Sequence, residues 1–149
     1  MISLKRTDSN NEDFIGLVRN LDADLAIRDG DDHAFYNQFN SISMIKYAVV
    51  AYLDDVPIGC GAIKLFDDAT MEVKRMYVTP QSRGKGVAVS VLAELELWTK
   101  ELGYKRCVLE TGINQPEALM LYQKNGYKRI PNYGQYAKVE NSFCFEKIL

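Results

Sequence analysis

QSRGKGVAVSVLAELELW, residues 81–98, sets two glycines and two cations directly ahead of an apolar periodic run. Val87, Ala88, Val91, Leu92, Leu95, Trp98 and Leu102 share one face at helical spacing, and Gly103 ends the run. The N-terminus of such a helix offers unpaired N–H groups and about half a unit of positive charge. Gly84 and Gly86 stand just ahead of those groups, and glycine lets a ligand come close to them. Arg83 and Lys85 add mobile positive charge. The combination suits a phosphate or pyrophosphate. The competing reading is a flexible Gly-Lys turn that only precedes a helix. Two known phosphate loops do not fit. A Walker A loop needs Gly where Thr79 stands and Ser or Thr where Gly86 stands. A dinucleotide fingerprint counted from Gly84 needs a small residue where Val89 stands.

The strand ahead of the loop carries a second signal. In MEVKRMYV, residues 71–78, Met71 and Val73 are apolar at odd positions, whereas Met76 and Val78 are apolar at even ones. The period-2 pattern slips by one at Lys74-Arg75. A slip turns side chains to the other face unless an extra residue is absorbed, and a β-bulge absorbs one. A bulge splays the strand from a neighbour and frees backbone N–H and C=O groups. An elongated amide-bearing ligand can pair with that backbone as an added strand would. The alternative is a straight strand with a polar middle.

Around this centre the pattern predicts further elements. Residues 2–6 alternate as a short strand. Ser9-Asn-Asn-Glu12 reads as a capping box, with Phe14, Leu17, Val18, Leu21 and Leu25 as the helical stripe behind it. Residues 28–32 read as a turn, and a second short helix is expected around residues 32–39. Strands at 46–53 and 57–66 meet at Asp54-Asp55 as a hairpin, and residues 70–78 form the next strand. After the long helix comes a strand at 106–110. A helix capped by Asn114 follows, with Pro116 in its first turn, and it stops at Gly126. Strands at 127–130 and 142–148 close the chain. The order β-α-α-β-β-β-α-β-α-β-β describes a mixed sheet with helices packed on it.

The 149 residues favour a single domain over 1–149, and 47% hydrophobic with 26% charged residues is ordinary for a soluble globular protein. A net charge of −2 argues against a general nucleic-acid binder. MISLKRTDSN lacks a signal-peptide core, and the densest apolar run, residues 47–53, is too short to span a bilayer. No membrane partner and a cytoplasmic location are therefore expected. Cys60, Cys107 and Cys144 have no metal-ligand spacing and read as buried free thiols in a reducing compartment. The lone His33 has no His or Cys partner nearby, so no metal is expected.

Gln81, Gly84 and Gly86 fill the three defining positions of a Q/R-x-x-G-x-G/A motif. Asn114-x-x-x-Ala118-x-x-x-Tyr122-x-x-x-Gly126-Tyr127 is similar to the pattern N-x-x-A-x-x-x-Y-x-x-x-G-F/Y. Two motifs in this order, separated by a helix and a strand, resemble those of the GCN5-related N-acetyltransferase (GNAT) superfamily. The resemblance covers essentially the whole chain and is most specific from Met71 to Tyr127. It implies an α/β (α+β) fold with a mixed, mostly antiparallel sheet of about seven strands, splayed at a β-bulge, with helices on both faces. It implies acetyl-coenzyme A as co-substrate. Backbone N–H groups from Arg83 to Ala88, through Gly84, Lys85, Gly86 and Val87, would hold the pyrophosphate. Met76 and Val78 would pair with the pantetheine arm. Tyr77, Gln81, Ser82, Asn114, Ala118 and Tyr122 complete the expected coenzyme set.

The implied reaction moves an acetyl group to a primary amine of a small molecule or peptide in a ternary complex. It needs a neutral amine, a stabilised oxyanion and a proton for the leaving thiolate. The Met76 N–H is the candidate oxyanion donor. Tyr122 is the candidate general acid, one helical turn from Ala118, although on composition alone it reads as a core aromatic. Glu72, four residues before Met76, is the candidate base, with Glu110 the weaker alternative. Arg28, Phe35, Tyr133 and Tyr136 are expected to frame the acceptor, with Asp31, Asp32, His33 and Tyr36 also available. A homodimer is allowed. The alternative function is a coenzyme A-binding sensor or regulatory module that has lost turnover.

Overall fold

A computed structural model describes residues 1–29 and 45–149. The helix expected around residues 32–39 lies outside them, as do Asp31, Asp32, His33, Phe35 and Tyr36. The elements are β1 (Ile2–Thr7), α1 (Glu12–Asp29), β2 (Tyr47–Leu53), β3 (Val56–Asp67), β4 (Thr70–Val78), α2 (Val87–Glu101), β5 (Arg106–Gly112), α3 (Pro116–Lys124), β6 (Lys128–Ile130) and β7 (Ser142–Ile148). The strands form one sheet in the order β1-β2-β3-β4-β5-β7-β6. Every pairing is antiparallel except β4 with β5. This is the mixed, mostly antiparallel seven-stranded sheet that the sequence leads one to expect.

Both faces of the sheet are covered, which explains the near-continuous apolar run of β2. Ala48 and Val50 pack on one face against Phe14, Leu17, Val18 and Leu21 of α1. Val49 and Ala51 pack on the other with Val91, Leu92 and Leu95 of α2 and Tyr122 of α3. Each fully buried aliphatic side chain in these layers contributes about 1.5–3 kcal/mol. The β2–β3 hairpin turns at Asp54 and Asp55, whose φ values of 51° and 64° are the pair of positive angles that a type I′ turn requires.

Three boundaries differ from expectation, each for a local reason. Asn11, not Ser9, caps α1: its side-chain oxygen accepts the Phe14 N–H at 2.9 Å, while the Ser9 N–H is spent on the Ile45 carbonyl at 3.3 Å. The helix also runs through Arg28 and Asp29, where a turn was expected, and its last turn is braced by an Asp24–Arg28 ion pair at 3.2 Å. In α3 the N-cap is Gln115 rather than Asn114, because Pro116 takes the first helical position that its fixed φ suits.

The slip in β4 is a β-bulge. Cys60 pairs with Tyr77 and Ala62 with Lys74, so Arg75 and Met76 together oppose Gly61. Arg75 takes the extra turn at φ 62°. The bulge absorbs the slip, so the apolar side chains stay on one face: Met71 and Val73 meet the α2 core before it, and Met76 and Val78 meet it after. Gly61 is needed opposite the bulge. A Cβ there would lie 2.5 Å from Met76 Sδ and 2.8 Å from Leu95 Cδ1.

Candidate active site

The bulge carries β4 away from β5. The two strands pair only from Thr70 to Glu72, against Arg106 to Val108. Beyond that point β4 is bonded to β3 alone, and β5 continues with β7. A cavity of about 400 Å³ opens in the gap. Residues 72–78 of β4 line it, with Glu110 and Thr111 of β5, the first turn of α2, Ala118, Leu121 and Tyr122 of α3, and Leu21, Asp24 and Leu25 of α1.

The first turn of α2 is left open to this cavity. Its N-cap is Gly86 at φ 81°, with no side-chain cap, and Gly84 sits at φ 77°. The Ser90 N–H bonds the Gly86 carbonyl at 3.0 Å, so the N–H groups of Val87, Ala88 and Val89 point off the helix end. A Cβ on Gly84 or Gly86 would meet nothing within 4 Å, so the approach is clear. Ser82, Arg83, Gly84, Gly86, Val87 and Ala88 line the cavity; Gln81 and Lys85 are exposed beside it. Arg83 Nε donates to the Val78 carbonyl at 2.9 Å, and its guanidinium lies 5.6 Å from the Tyr77 ring centre. These contacts fix a cation at the mouth of the loop.

Tyr122 reaches the cavity from the buried face of α3, its ring edge-on to Tyr127 with centroids 5.6 Å apart. Burial, and then the Glu110 charge, push its phenol above the ordinary range, so it stays protonated at any pH near neutral. Ala118 lines the cavity one turn earlier; Asn114 is exposed and does not.

Glu72 lines the cavity and is 8% exposed, not the solvent-facing strand residue that alternation alone allows. It accepts the Tyr133 hydroxyl at 2.7 Å and lies 3.7 Å from Lys74 Nζ. Burial, and then the Glu72 charge, raise the Tyr133 phenol, which keeps it a donor to that carboxylate. Tyr136 is buried, lines the cavity and stands edge-on to Tyr133 at 6.0 Å. Arg28 lies outside the lining. It pairs with Asp24 and Glu117 and clasps the end of α1 to the start of α3.

Residues 15–127 match the model of the Acetyltransferase (GNAT) family. The chain belongs to that family. It is 33% identical over 102 residues to an IAA acetyltransferase of Azospirillum brasilense, a match covering 68% of this chain and 67% of that one. Its fold is similar to that of a putative acyl-CoA N-acyltransferase from Klebsiella pneumoniae, at a TM-score of 0.84 and 29% identity, covering 100% and 98% of the two chains. It is also similar to PaiA N-acetyltransferase from Thermoplasma acidophilum in complex with coenzyme A, at a TM-score of 0.70 and 20% identity, covering 100% and 99%. For several relatives the matched segment spans only half to two thirds of their own length. The GNAT assignment places the chain in the acetyltransferase class of enzymes.

Sequence reading of this GNAT chain missed four charged residues of the cavity: Asp24, Lys74, Arg75 and Glu117. The pattern slip at Lys74-Arg75 was the available signal, since a bulge in a buried strand leaves its polar side chains inside. Arg75 is 7% exposed and donates to Asp22 at 2.8 Å, while its Nε is buried without a partner among the described residues. Among the described residues no cluster of His, Cys, Asp or Glu is placed to hold a metal ion, and no helix is long and apolar enough to cross a membrane.

Proposed function

We propose that the protein is an acetyl-coenzyme A-dependent N-acetyltransferase that acetylates a primary amine by direct transfer in a ternary complex. The observation that carries this reading is the splayed gap between β4 and β5, open at the uncapped N-terminus of α2. An anion at that helix end and an amide-bearing arm along the free edge of β4 would satisfy both sets of orphan backbone groups. The open space at Gly84 and Gly86 fits a pyrophosphate, and coenzyme A in the Thermoplasma protein supports the choice of ligand.

Acetyl-coenzyme A supplies an activated thioester. In the transfer a bond forms between the acceptor nitrogen and the acyl carbon, the carbon–sulfur bond breaks, and the leaving thiolate gains a proton. Glu72 would take the proton that the acceptor ammonium must lose, with Tyr133 holding the carboxylate in place. The Met76 N–H, released from ladder pairing by the bulge, would face the developing oxyanion. Tyr122, kept protonated by its burial, would donate to the thiolate, and the second proton that the nitrogen sheds as the amide forms would restore the phenol.

The test has two measurements. Calorimetric titration with acetyl-coenzyme A should give saturable binding, and binding should raise the melting temperature. Release of free thiol across amino acids, polyamines, aminoglycosides and peptides should then rise with one acceptor class. No binding at millimolar acetyl-coenzyme A refutes the reading. Binding without thiol release for any acceptor makes the protein a coenzyme A sensor instead.

A further inference from the structure

The acceptor side of the cavity holds a loose, buried ion pair. Glu72 and Lys74 are two residues apart on β4 and therefore project from the same face. Their side chains are each 10% exposed, and Lys74 Nζ stands 3.7 Å from Glu72 Oε1. A close charge-assisted hydrogen bond would be about 2.7–2.9 Å. Both residues line the cavity, as does Arg75, whose side chain is 3% exposed and whose Nε has no hydrogen-bond partner among the described residues.

This arrangement restricts what can enter. If Glu72 receives the acceptor ammonium, a plain amine would leave Lys74 buried beside a partner already engaged. Leaving a buried charge uncompensated is strongly unfavourable. An acceptor that brings one charge of each sign avoids that cost. Its ammonium takes Glu72, and its carboxylate takes Lys74 and Arg75 Nε, which has no partner among the described residues. At 3.7 Å the pair is longer than a direct charge-assisted hydrogen bond, so a ligand entering between the two groups breaks no close bond.

We infer that the acceptor is an amine with a carboxylate on the adjacent carbon, a free α-amino acid, and that it binds by inserting between Glu72 and Lys74 with Arg75 as a second donor to the carboxylate. A peptide N-terminus does not meet this requirement, because an uncharged amide stands where the carboxylate would be. The inference rests on the acetyl-transfer reading only for the role of Glu72 toward the amine.

The experiment compares free L-amino acids with their α-carboxamides, by calorimetry on the protein saturated with coenzyme A. The panel is glutamate, alanine, lysine and phenylalanine, each with its carboxamide. At least one free acid should bind about 10- to 100-fold more tightly than its carboxamide, the worth of charged hydrogen bonds to the carboxylate. Lys74→Met keeps the aliphatic stem and removes the charge, so it should abolish that preference. Arg75→Lys keeps the charge, removes Nε and should reduce it, with circular dichroism as the check that both variants fold. Equal binding of acid and carboxamide, or no binding of any free acid at millimolar concentration, overturns the inference. A preference that survives Lys74→Met in a folded protein overturns it too. Coenzyme A binding, read in the same calorimeter before the acceptor is added, reports separately on the acetyl-transfer reading.

Discussion

The two halves of β4 differ in one respect, and the site follows from it. From Thr70 to Glu72 the strand is bonded on both sides, to β3 and to β5. From Val73 to Val78 it is bonded to β3 alone, because Arg75 and Met76 together take up the space of one residue. The closed half carries Met71, fully buried in the α2 core, and works as scaffold. The open half carries free backbone and charged side chains into a cavity. A sheet that is complete stores stability, and one that is parted by a single extra residue can bind.

That contrast predicts which substitutions damage activity and which damage folding. The largest expected effect is at Tyr122, on the open side. Tyr122→Phe keeps the ring packing and removes the proposed acid, so the turnover number should fall about 10²- to 10⁴-fold with little change in acetyl-coenzyme A affinity. Raising the pH should not rescue it. Glu72→Gln should differ: its deficit should be greatest at neutral pH and shrink as the acceptor amine deprotonates unaided. Full activity in Tyr122→Phe would reduce that residue to packing, and a pH-independent deficit in Glu72→Gln would make the carboxylate a binding group.

Met71→Ala tests the closed half. It should cost about 2–5 kcal/mol of unfolding free energy, the usual range for truncating a buried Met, and leave coenzyme A affinity of the folded protein nearly unchanged. Urea unfolding and calorimetry on one preparation would show whether the two properties separate. Gly84→Val should do the reverse. A branched side chain at φ 77° is strained by about 1–3 kcal/mol and blocks the open approach to the α2 N–H groups. Coenzyme A binding should weaken about 10- to 100-fold, as charged hydrogen bonds to the pyrophosphate are lost. Normal binding by a folded Gly84→Val protein would remove the phosphate cradle.

The smallest effect concerns Cys60, which pairs with Tyr77 next to the bulge and has its thiol 3.3 Å from the Arg75 carbonyl. Burial raises this thiol to about 12. Because the folded value is raised, the folded chain keeps a proton that the unfolded chain releases. The stabilisation is whole below the unfolded value of about 8.5 and is lost as pH rises toward about 12. Cys60→Ala should therefore flatten the alkaline decline in stability by at most about 1.4 kcal/mol per pH unit, measured by urea unfolding at a series of pH values. An unchanged slope would mean that the thiol does not contribute to that decline.

The fold and the open helix end of the cavity were legible in the sequence because their signals are local. Gly84 and Gly86 stand beside the helix they open, and the slip from Met71 and Val73 to Met76 and Val78 is visible within eight residues. Periodicity reports the face on which a residue lies, and glycine reports where backbone must turn or be approached. Boundaries were less legible. Ser9 and Asn11 are both good caps, and only the bond from Ser9 to Ile45, 36 residues on, decided between them.

The sequence by itself determined the elements, the bulge and the open helix end, since each is set by residues a few positions apart. The tertiary structure alone decided the charged contacts in and around the cavity. Glu72 meets Tyr133 across 61 residues, Arg75 meets Asp22 across 53, and Arg28 meets Glu117 across 89. No periodicity encodes such pairs, because a charged side chain has the same pattern in a strand whether it faces water or a partner. Desolvation separates the two cases, and it exists only once α1, β4 and the segment carrying Tyr133 are packed together.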